Sequence, residues 1–431
     1  MKNFVICANG IGVGGMEVLF SGYIKYLVSK NYNVYLITIN TPNNIYFKLL
    51  EDIDNIKYIF RSQDNILYMS SKNRTIERNN VRMQLQGLDY QNTFGVCGYF
   101  RDLLILMNIF HNTETKITLI WPHPLDWTNY ISFKHKQYYF KREKNSSLYK
   151  YQKLLLAKLD QNNASYYTSY AIFDYNNWYY ETALPERKIE GLPIQKNAGV
   201  SFNYYRDEWK KEWSILWVGR FDYYKNDAIC KIFETLEIIA AQKNIKFTFN
   251  IAGYGPDSFV ADLHNRIKPT NVKVNYLGAI PPTELNTYFS QNDIGIGMGV
   301  TVKQMGFAGL PSILIDSLSE RYEGENNCTW VFDIDTGDDG DGLYYQVMKK
   351  PLKNRKPLLE LLCEVVDHPS LLNEYSKKCK EYIEKNYSYD KQYDIITKRV
   401  LSSTFDSSKI EIYHYGFLRT NLRKIKRLFS F

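Results

Sequence analysis

Two cations, Arg220 and Lys225, follow an apolar segment in "WVGRFDYYKN" (217–226). Because ligands of open α/β sheets bind beyond the carboxyl ends of the strands, cations at such an end could hold an anion. Two later apolar segments also end in glycine-containing turns before helices, "AGYGPD" (252–257) and "GMGVT" (297–301). Backbone N–H groups at a helix N-terminus bind phosphate. The sequence therefore predicts a diphosphate site where three strand ends converge.

The elements that would position these cations alternate between apolar runs and helical periods. In the second half, strands are predicted at 214–219, 246–255, 272–278, 293–299 and 310–316, and helices at 227–243, 257–267, 281–292 and 302–309. In the first half, strands are predicted at 4–10, 33–40, 56–60, 93–99 and 117–123, with a helix at 14–31. This alternation is typical of βαβ units with a parallel sheet.

The predicted fold class is therefore α/β, with two doubly wound, Rossmann-like domains. We expect one domain at 1–198, a second at 199–385 and a tail at 386–431. A chain of 431 residues is long enough for two hydrophobic cores.

Composition excludes several classes of protein. The net charge of +8 favours anionic partners, but no recognised nucleic-acid-binding module is present. The six cysteines are scattered without a CxxC pair, which argues against a zinc site and a disulfide scaffold. No run approaches the roughly 20 apolar residues of a membrane span, and the first apolar run is too short for a signal peptide. These features predict a cytoplasmic protein.

The glycines of "GIGVGG" (10–15) match the dinucleotide-binding fingerprint after a predicted strand. That fingerprint also needs an acid about 20 residues later, at the end of the second strand. The second strand instead ends in "ITINTPNN". A nicotinamide-dependent oxidoreductase is therefore the weaker alternative. Glu17, in the first turn of the predicted helix, could stabilise the helix dipole or contact a ligand.

Five motifs, in order, resemble a retaining GT-B glycosyltransferase of the glycosyl transferases group 1 type: "GVGGMEV", "VGRFDYYKN", "IAGYGPD", "YLGAIPPTEL" and "GMGVTVKQMGFAGLPSILI". The resemblance implies a nucleotide-diphosphate sugar as donor substrate, with no cofactor and no metal. It also implies a glycan acceptor and two domains that face a central cleft. The N-terminal domain (1–198) would be the acceptor side, and the C-terminal domain (199–385) would bind the nucleotide sugar. The helical tail (386–431) would pack back toward the N-terminal domain. The implied catalytic residues are His123, Arg220 and Lys225. The implied donor-binding residues are Gly14, Gly15, Arg220, Lys225, Tyr254, Val300, Thr301, Val302 and Gln304.

The chain departs from this family at a pair of glutamates that are eight positions apart. Their places hold Ile296 and Gln304. The second glutamate of the family binds the donor ribose, and a glutamine keeps an acceptor oxygen there without the charge. A catalytically degenerate subunit that stabilises an active partner therefore remains an alternative to an active transferase.

Two other polar motifs can be explained by structural roles, without catalysis or metal binding. In "IWPHPLDW" (120–127), His123 could face the cleft or be structural, and Asp126 fits a cap or a turn. The acid-rich "GDDGDG" (337–342) has Asp338 where the EF-hand order needs glycine. It is predicted to be a solvated loop.

Two basic segments contain interleaved aromatic residues. Residues 133–158 hold eight Lys or Arg against Glu143, and residues 415–431 hold five cations and no acid. Basic segments with aromatic anchors adsorb to anionic headgroups. We therefore expect peripheral contact with an anionic membrane surface and a lipid-linked glycan as acceptor.

Overall fold

The computed structural model describes residues 1–9, 15–62, 65–121, 131–134, 137–140, 144–194, 211–281, 283–317 and 326–413. Its strands and helices form two α/β units, each built around its own sheet.

The first sheet has six parallel strands in the order β3-β2-β1-β4-β5-β8. These are β1 Asn3–Cys7, β2 Asn33–Ile39, β3 Ile56–Arg61, β4 Thr93–Cys97, β5 Lys116–Trp121 and β8 Ser165–Tyr167. The helices of this half are α1 Gly15–Ser29, α2 Ile45–Leu49, α3 Ser71–Gln84, α4 Phe100–Ile109, α5 Ser147–Gln161 and α6 Tyr170–Tyr180. Every residue of β1 is buried, as expected for a central parallel strand covered on both faces.

The second sheet has seven strands in the order β11-β10-β9-β12-β13-β14-β15. These are β9 Glu212–Val218, β10 Lys246–Ala252, β11 Val272–Gly278, β12 Ile294–Gly297, β13 Ser312–Ile315, β14 Asn326–Trp330 and β15 Lys356–Pro357. The first five are parallel, and β14 and β15 are antiparallel. The helices of this half are α7 Tyr223–Lys243, α8 Asp257–Arg266, α9 Leu285–Ser290, α10 Gly299–Ala308, α11 Gly342–Met348, α12 Leu358–Asp367 and α13 Leu371–Tyr387. The predicted α/β class and parallel alternation are confirmed.

The last helix, α14 (Tyr389–Leu401), packs against the first sheet's unit. Its Tyr393, Ile396 and Val400 are buried in the same apolar cluster as residues of β1 and α1. The Tyr393 hydroxyl donates to the Leu19 carbonyl at 2.9 Å. Helix α14 thus packs against the N-terminal helix α1. The predicted boundaries at 198 and 385 stay predictions.

Some element bounds differ from the sequence prediction. α7 begins four residues before the predicted start, because the Asp222 side chain accepts a hydrogen bond from the Lys225 N–H and caps the helix. α10 begins at Gly299 instead of 302. The basic segment 133–158 spans more than one element. It contains the end of β6 (Ile131–Lys134), all of β7 (Gln137–Phe140) in an antiparallel pair with β6, and most of α5.

Candidate functional site

The order of the second sheet reverses between β9 and β12. From β9 the chain moves outward to β10 and β11, then returns to place β12 on the other side of β9. In such sheets ligands bind in the crevice at the reversal, beyond the carboxyl ends of the strands. The turn after β9 and the start of α10 after β12 both lie at this crevice.

Arg220 lies on the turn after β9, and Lys225 lies in the first turn of α7. Arg220 is exposed. The Lys225 side chain is only 16% exposed, and its Nζ lies 3.5 Å from Asp222 Oδ2. Burial lowers the pKa of Lys225; Asp222 opposes this shift, and the nearby charge of Arg220 adds to it. Two cations that repel each other in a partly buried place would both be stabilised by an anion between them.

Close approach of two backbones fixes this turn. The Gly219 N–H donates to the Ala252 carbonyl at 3.0 Å, and the Phe221 N–H donates to the Tyr254 carbonyl at 2.7 Å. A Cβ at Gly253 would lie 1.9 Å from the Gly219 carbonyl oxygen. A glycine at 253 is therefore required for the turn that carries Arg220 to lie against the turn after β10.

The start of α10 forms the other wall of the crevice. Its N-cap, Met298, makes no side-chain capping hydrogen bond. Gly299 has φ +66°, a left-handed conformation that favours glycine. Val300 and Thr301 are partly buried, whereas Val302 is fully buried, so only its backbone could meet a ligand. A helix N-terminus beside two cations is suited to hold a diphosphate.

The other residues of this half that the sequence analysis singled out differ in how far they are exposed. Gln304 is partly buried, one turn into α10. Tyr254 is 55% exposed on the turn after β10. Ile296 is fully buried in β12 and packs in the core of the second sheet. The structure thus brings Arg220, Lys225 and the start of α10 to one crevice, and it leaves their ligand roles as predictions.

On the N-terminal side, Gly15 is exposed as the first residue of α1, with nothing within 4 Å of a Cβ built there. Glu17 is partly buried in the first turn. Gly14, His123 and Asp126 lie outside the described residues.

The prediction of a solvated loop at 337–342 is wrong. The loop is buried or partly buried throughout. The Gly299 N–H donates to the Asp339 carbonyl at 2.8 Å, so the loop lies against the start of α10. Its acidic composition suggested solvent exposure, but cations from distant parts of the chain pair with Asp338 and Asp339.

Those cations were missed by sequence reasoning. Lys303, on α10, is 0% exposed; its ammonium forms an ion pair with Asp339 and lies 4.4 Å from the Tyr387 ring centroid. Arg355 pairs with Asp316 and, at 2.9 Å, with Asp338. The available signal was a single lysine within an otherwise uncharged helix, since a lysine that is buried there needs a buried acid as partner.

The basic segments are only partly described. The apolar face of α5 is used by the core, where Leu148, Leu155, Leu156 and Leu159 are buried. Residues 414–431 lie outside the described residues. Across the described ranges, no helix is long and apolar enough to cross a membrane. The six cysteines all lie in the described ranges, where none of them forms a disulfide.

No model of a known protein family matches the sequence, and no curated protein has a similar sequence. Solved structures do match. TarM aligns over 93% of this chain and 99% of its own, with a TM-score of 0.57 at 12% identity. The lipopolysaccharide outer core galactosyltransferase WaaB aligns over 92% and 100%, with a TM-score of 0.53 at 16% identity. The chain has the GT-B fold.

Two further matches contain nucleotides. A mutant of S. aureus TarM in complex with fondaparinux, alpha-GlcNAc-glycerol and UDP matches with a TM-score of 0.54 at 12% identity and covers 93% of this chain and 100% of its own. An E. coli trehalose-6-phosphate structure bound with UDP-2-fluoro glucose matches with a TM-score of 0.55 at 12% identity, over 93% and 99%. At this identity the likeness establishes the fold alone. Assignment to the group 1 family and a retaining outcome remain predictions.

Proposed function

We propose that the protein is a retaining, metal-independent glycosyltransferase that moves a sugar from a nucleotide-diphosphate donor to a growing, lipid-linked cell-surface glycan. The observation that carries the proposal is the meeting of Arg220 and Lys225 with the start of α10 at the reversal of the second sheet. The GT-B fold and the nucleotide-containing matches support it.

In this proposal Arg220 and Lys225 act on the leaving group. When the bond between the sugar and the diphosphate breaks, negative charge develops on the departing phosphate. Preorganised cations and backbone N–H groups that are aimed at this charge stabilise the transition state more than the ground state. The Val300, Thr301 and Val302 backbone at the start of α10 would bind the same diphosphate.

Gln304 and Tyr254 would contact the nucleoside. The Gln304 amide oxygen can accept a hydrogen bond from a ribose hydroxyl, although more weakly than a carboxylate would. Tyr254 is exposed on the neighbouring turn and could pack against the nucleoside. From the N-terminal side, Gly14 and Gly15 would border the cleft, and His123 would lie near the donor sugar.

The acceptor is the least constrained part of the proposal. The cations of 133–158 and 415–431 support binding at an anionic membrane surface, with a cytoplasmic enzyme that acts at the inner face. The matches to a lipopolysaccharide galactosyltransferase and to TarM with alpha-GlcNAc-glycerol agree with a glycan acceptor.

Calorimetric titration with UDP, GDP, ADP and their glucose conjugates tests the donor site. We expect one nucleotide to bind, and we expect Arg220→Ala to weaken it by about 10- to 100-fold, the effect of losing about 1.5–3 kcal/mol of charge-assisted hydrogen bonding. Lys273→Ala, on the exposed edge strand β11, is the control and should bind as the wild type does. Absence of binding to all six ligands, or unchanged binding by Arg220→Ala, would contradict the proposal.

The second candidate function is a degenerate GT-B subunit that stabilises an active partner. It is favoured by Gln304, which stands where the family has a carboxylate. Tight donor binding without transfer to any acceptor or hydrolysis by water, and restored turnover on addition of a partner transferase, would support this alternative. Turnover by the purified chain alone would exclude it.

A further inference from the structure

Asn226, next to Lys225 in the first turn of α7, links that helix to α8. Its side-chain amide donates to the Phe259 carbonyl at 2.8 Å and to Asp262 Oδ2 at 3.1 Å. Both acceptors belong to α8, which begins directly after the turn that carries Tyr254. The start of α7 is therefore held against the segment that follows β10.

A chain of ion pairs supports the same contact. Asp262 pairs with Arg266 at 3.3 Å, and Arg266 pairs with Asp227 of α7 at 2.7 Å. Asp227 is only 6% exposed, and Asn226 is fully buried. Two consecutive residues of α7 are thus anchored to α8, and this limits both rotation and sliding of the helix.

This contact determines where Lys225 points. Lys225 leaves α7 about 100° around the helix axis from Asn226, the angle between successive helical residues. A rotation of α7 that broke the Asn226 contact would therefore move the Lys225 ammonium group across the crevice. The turn that carries Arg220 is held against the same segment, because the Phe221 N–H donates to the Tyr254 carbonyl at 2.7 Å. Both cations are thus held at set distances from Tyr254.

The buried Asn226 side chain is not optimal for stability. The two acceptors on α8 fix the orientation of its amide, because only the NH₂ group can donate to them. Among the described residues, its Oδ1 has no hydrogen-bond partner. A buried acceptor without a partner lowers stability, and such local exceptions are expected at functional sites. This favours a role for Asn226 beyond the packing of two helices.

We propose that Asn226 is a positioning residue of the donor site. By holding α7 against α8, it fixes Lys225 at the distance from the Tyr254 turn that a nucleoside diphosphate spans. The inference rests on the proposed function and names a residue that acts on the diphosphate through Lys225. A charge that is already in place binds an anion without the entropy loss of ordering it. Loss of the Asn226 contact would keep the Lys225 charge but remove part of its contribution to binding.

The experiment is a double-mutant cycle measured by calorimetric titration. UDP, GDP and ADP are each titrated into the wild type, Asn226→Ala, Lys225→Ala and the double variant. For the nucleotide that binds, we expect Lys225→Ala to weaken affinity by about 10- to 100-fold and Asn226→Ala by about fivefold. In the Lys225→Ala background, loss of Asn226 should weaken affinity by less than about twofold, because residues that act through one another are not additive.

The matching nucleoside monophosphate gives a readout that a merely structural role would not move. Because Lys225 acts on the diphosphate, Asn226→Ala should weaken the monophosphate less than the diphosphate. A general disturbance of the two turns would weaken both ligands equally, and that result would contradict the inference.

Asn250→Ala is the matched control. The Asn250 side chain makes two hydrogen bonds of 2.8 Å, with Asn292 and with Asn275 of β11. None of these residues belongs to α7, α8 or α10. The control should lower stability and leave nucleotide affinity unchanged.

Asp262→Ala tests the same link if Asn226→Ala does not fold, because the Asp262 side chain is 28% exposed and its loss is better tolerated. It should weaken the nucleotide by about threefold, and only while Lys225 is present. Unchanged affinity, or an equal loss with and without Lys225, overturns the inference even where Arg220→Ala abolishes binding. Failure of every nucleotide to bind the wild type overturns the inference and the proposed function together.

Discussion

The two sheets reverse their strand order in the same way, yet the two crevices at the reversals differ in chemistry. In the second sheet, between β9 and β12, exposed Arg220 and partly buried Lys225 present positive charge. In the first sheet, between β1 and β4, the corresponding place holds Asp102, a carboxylate that is 0% exposed in the first turn of α4.

The acid in the first crevice is enclosed by a polar chain. The Asn9 amide donates to Asp102 Oδ1 at 3.0 Å, and the Arg61 guanidinium donates to Asn9 at 3.3 Å and pairs with Glu77 at 3.1 Å. Within the described structure, Asp102 Oδ2 has no hydrogen-bond partner. The strand order thus creates a crevice in each half, and the charge of the side chains at that crevice determines whether it attracts an anion.

The strongest test of this comparison removes the buried cation that supports the second crevice. Lys303→Met leaves Asp339 as an uncompensated buried charge and should lower the free energy of unfolding by about 3–5 kcal/mol. Lys246→Met is the matched control, because Lys246 pairs with Glu212 at 3.3 Å while both side chains are more than 75% exposed. That control should change stability by less than about 1 kcal/mol. Urea unfolding measures the free energy of unfolding of the two variants.

A double variant, Lys303→Met with Asp339→Asn, should recover part of the lost stability. No recovery would argue against a stabilising ion pair between Lys303 and Asp339.

A smaller effect is expected where the two turns of the second crevice touch. Gly253→Ala places a methyl group 1.9 Å from the Gly219 carbonyl oxygen, so the turn that carries Arg220 must shift. Overpacking of this kind should lower the free energy of unfolding by about 2 kcal/mol, and nucleotide binding should weaken as well. Gly297→Ala is the control, because its new Cβ would meet Val302 Cβ at 3.7 Å, an ordinary contact. Thermal unfolding and calorimetry would be measured on both variants. If the Gly253→Ala protein binds nucleotide like the wild type, the position of Arg220 does not depend on the contact with the turn after β10.

The smallest effect concerns the acid of the first crevice. Burial raises the pKa of Asp102, and the nearby arginines and Asn9 only partly oppose this. The folded state therefore holds a proton that the unfolded state releases, so this group's contribution to stability falls as pH rises from its ordinary pKa through the raised one. Asp102→Asn removes this titration and keeps an acceptor oxygen for the Asn9 amide, so it should raise the free energy of unfolding at pH 7 slightly. Thermal unfolding from pH 4 to pH 8 should show a shallower pH dependence in the variant than in the wild type or in Asp54→Asn, a surface control. A less stable Asp102→Asn protein would indicate that the ionised acid is needed by the fold.

Much of the fold was readable from short stretches of sequence. The buried runs at β1, β9 and β10 and the helical periods between them predicted parallel α/β units, and the structure confirms them. The position of Arg220 also followed from local order, since a cation just after a buried strand lies at the end of the sheet where ligands bind. Element bounds were predicted less well: α7 begins at Tyr223, four residues before the predicted start, because Asp222 caps it.

The sequence by itself determined the repeated strand–helix units and the cations at the end of β9, because both depend on neighbours a few residues apart. Only the tertiary structure decided that loop 337–342 is buried, that Lys303 and Arg355 pair with its Asp339 and Asp338, and that α14 packs against α1 and β4. Asp339 lies 36 residues from Lys303, and Tyr393 lies 374 residues from its partner Leu19. Contacts over such separations are set by how the sheets and helices pack, and an acid-rich glycine loop has the same local pattern whether it faces water or a buried lysine.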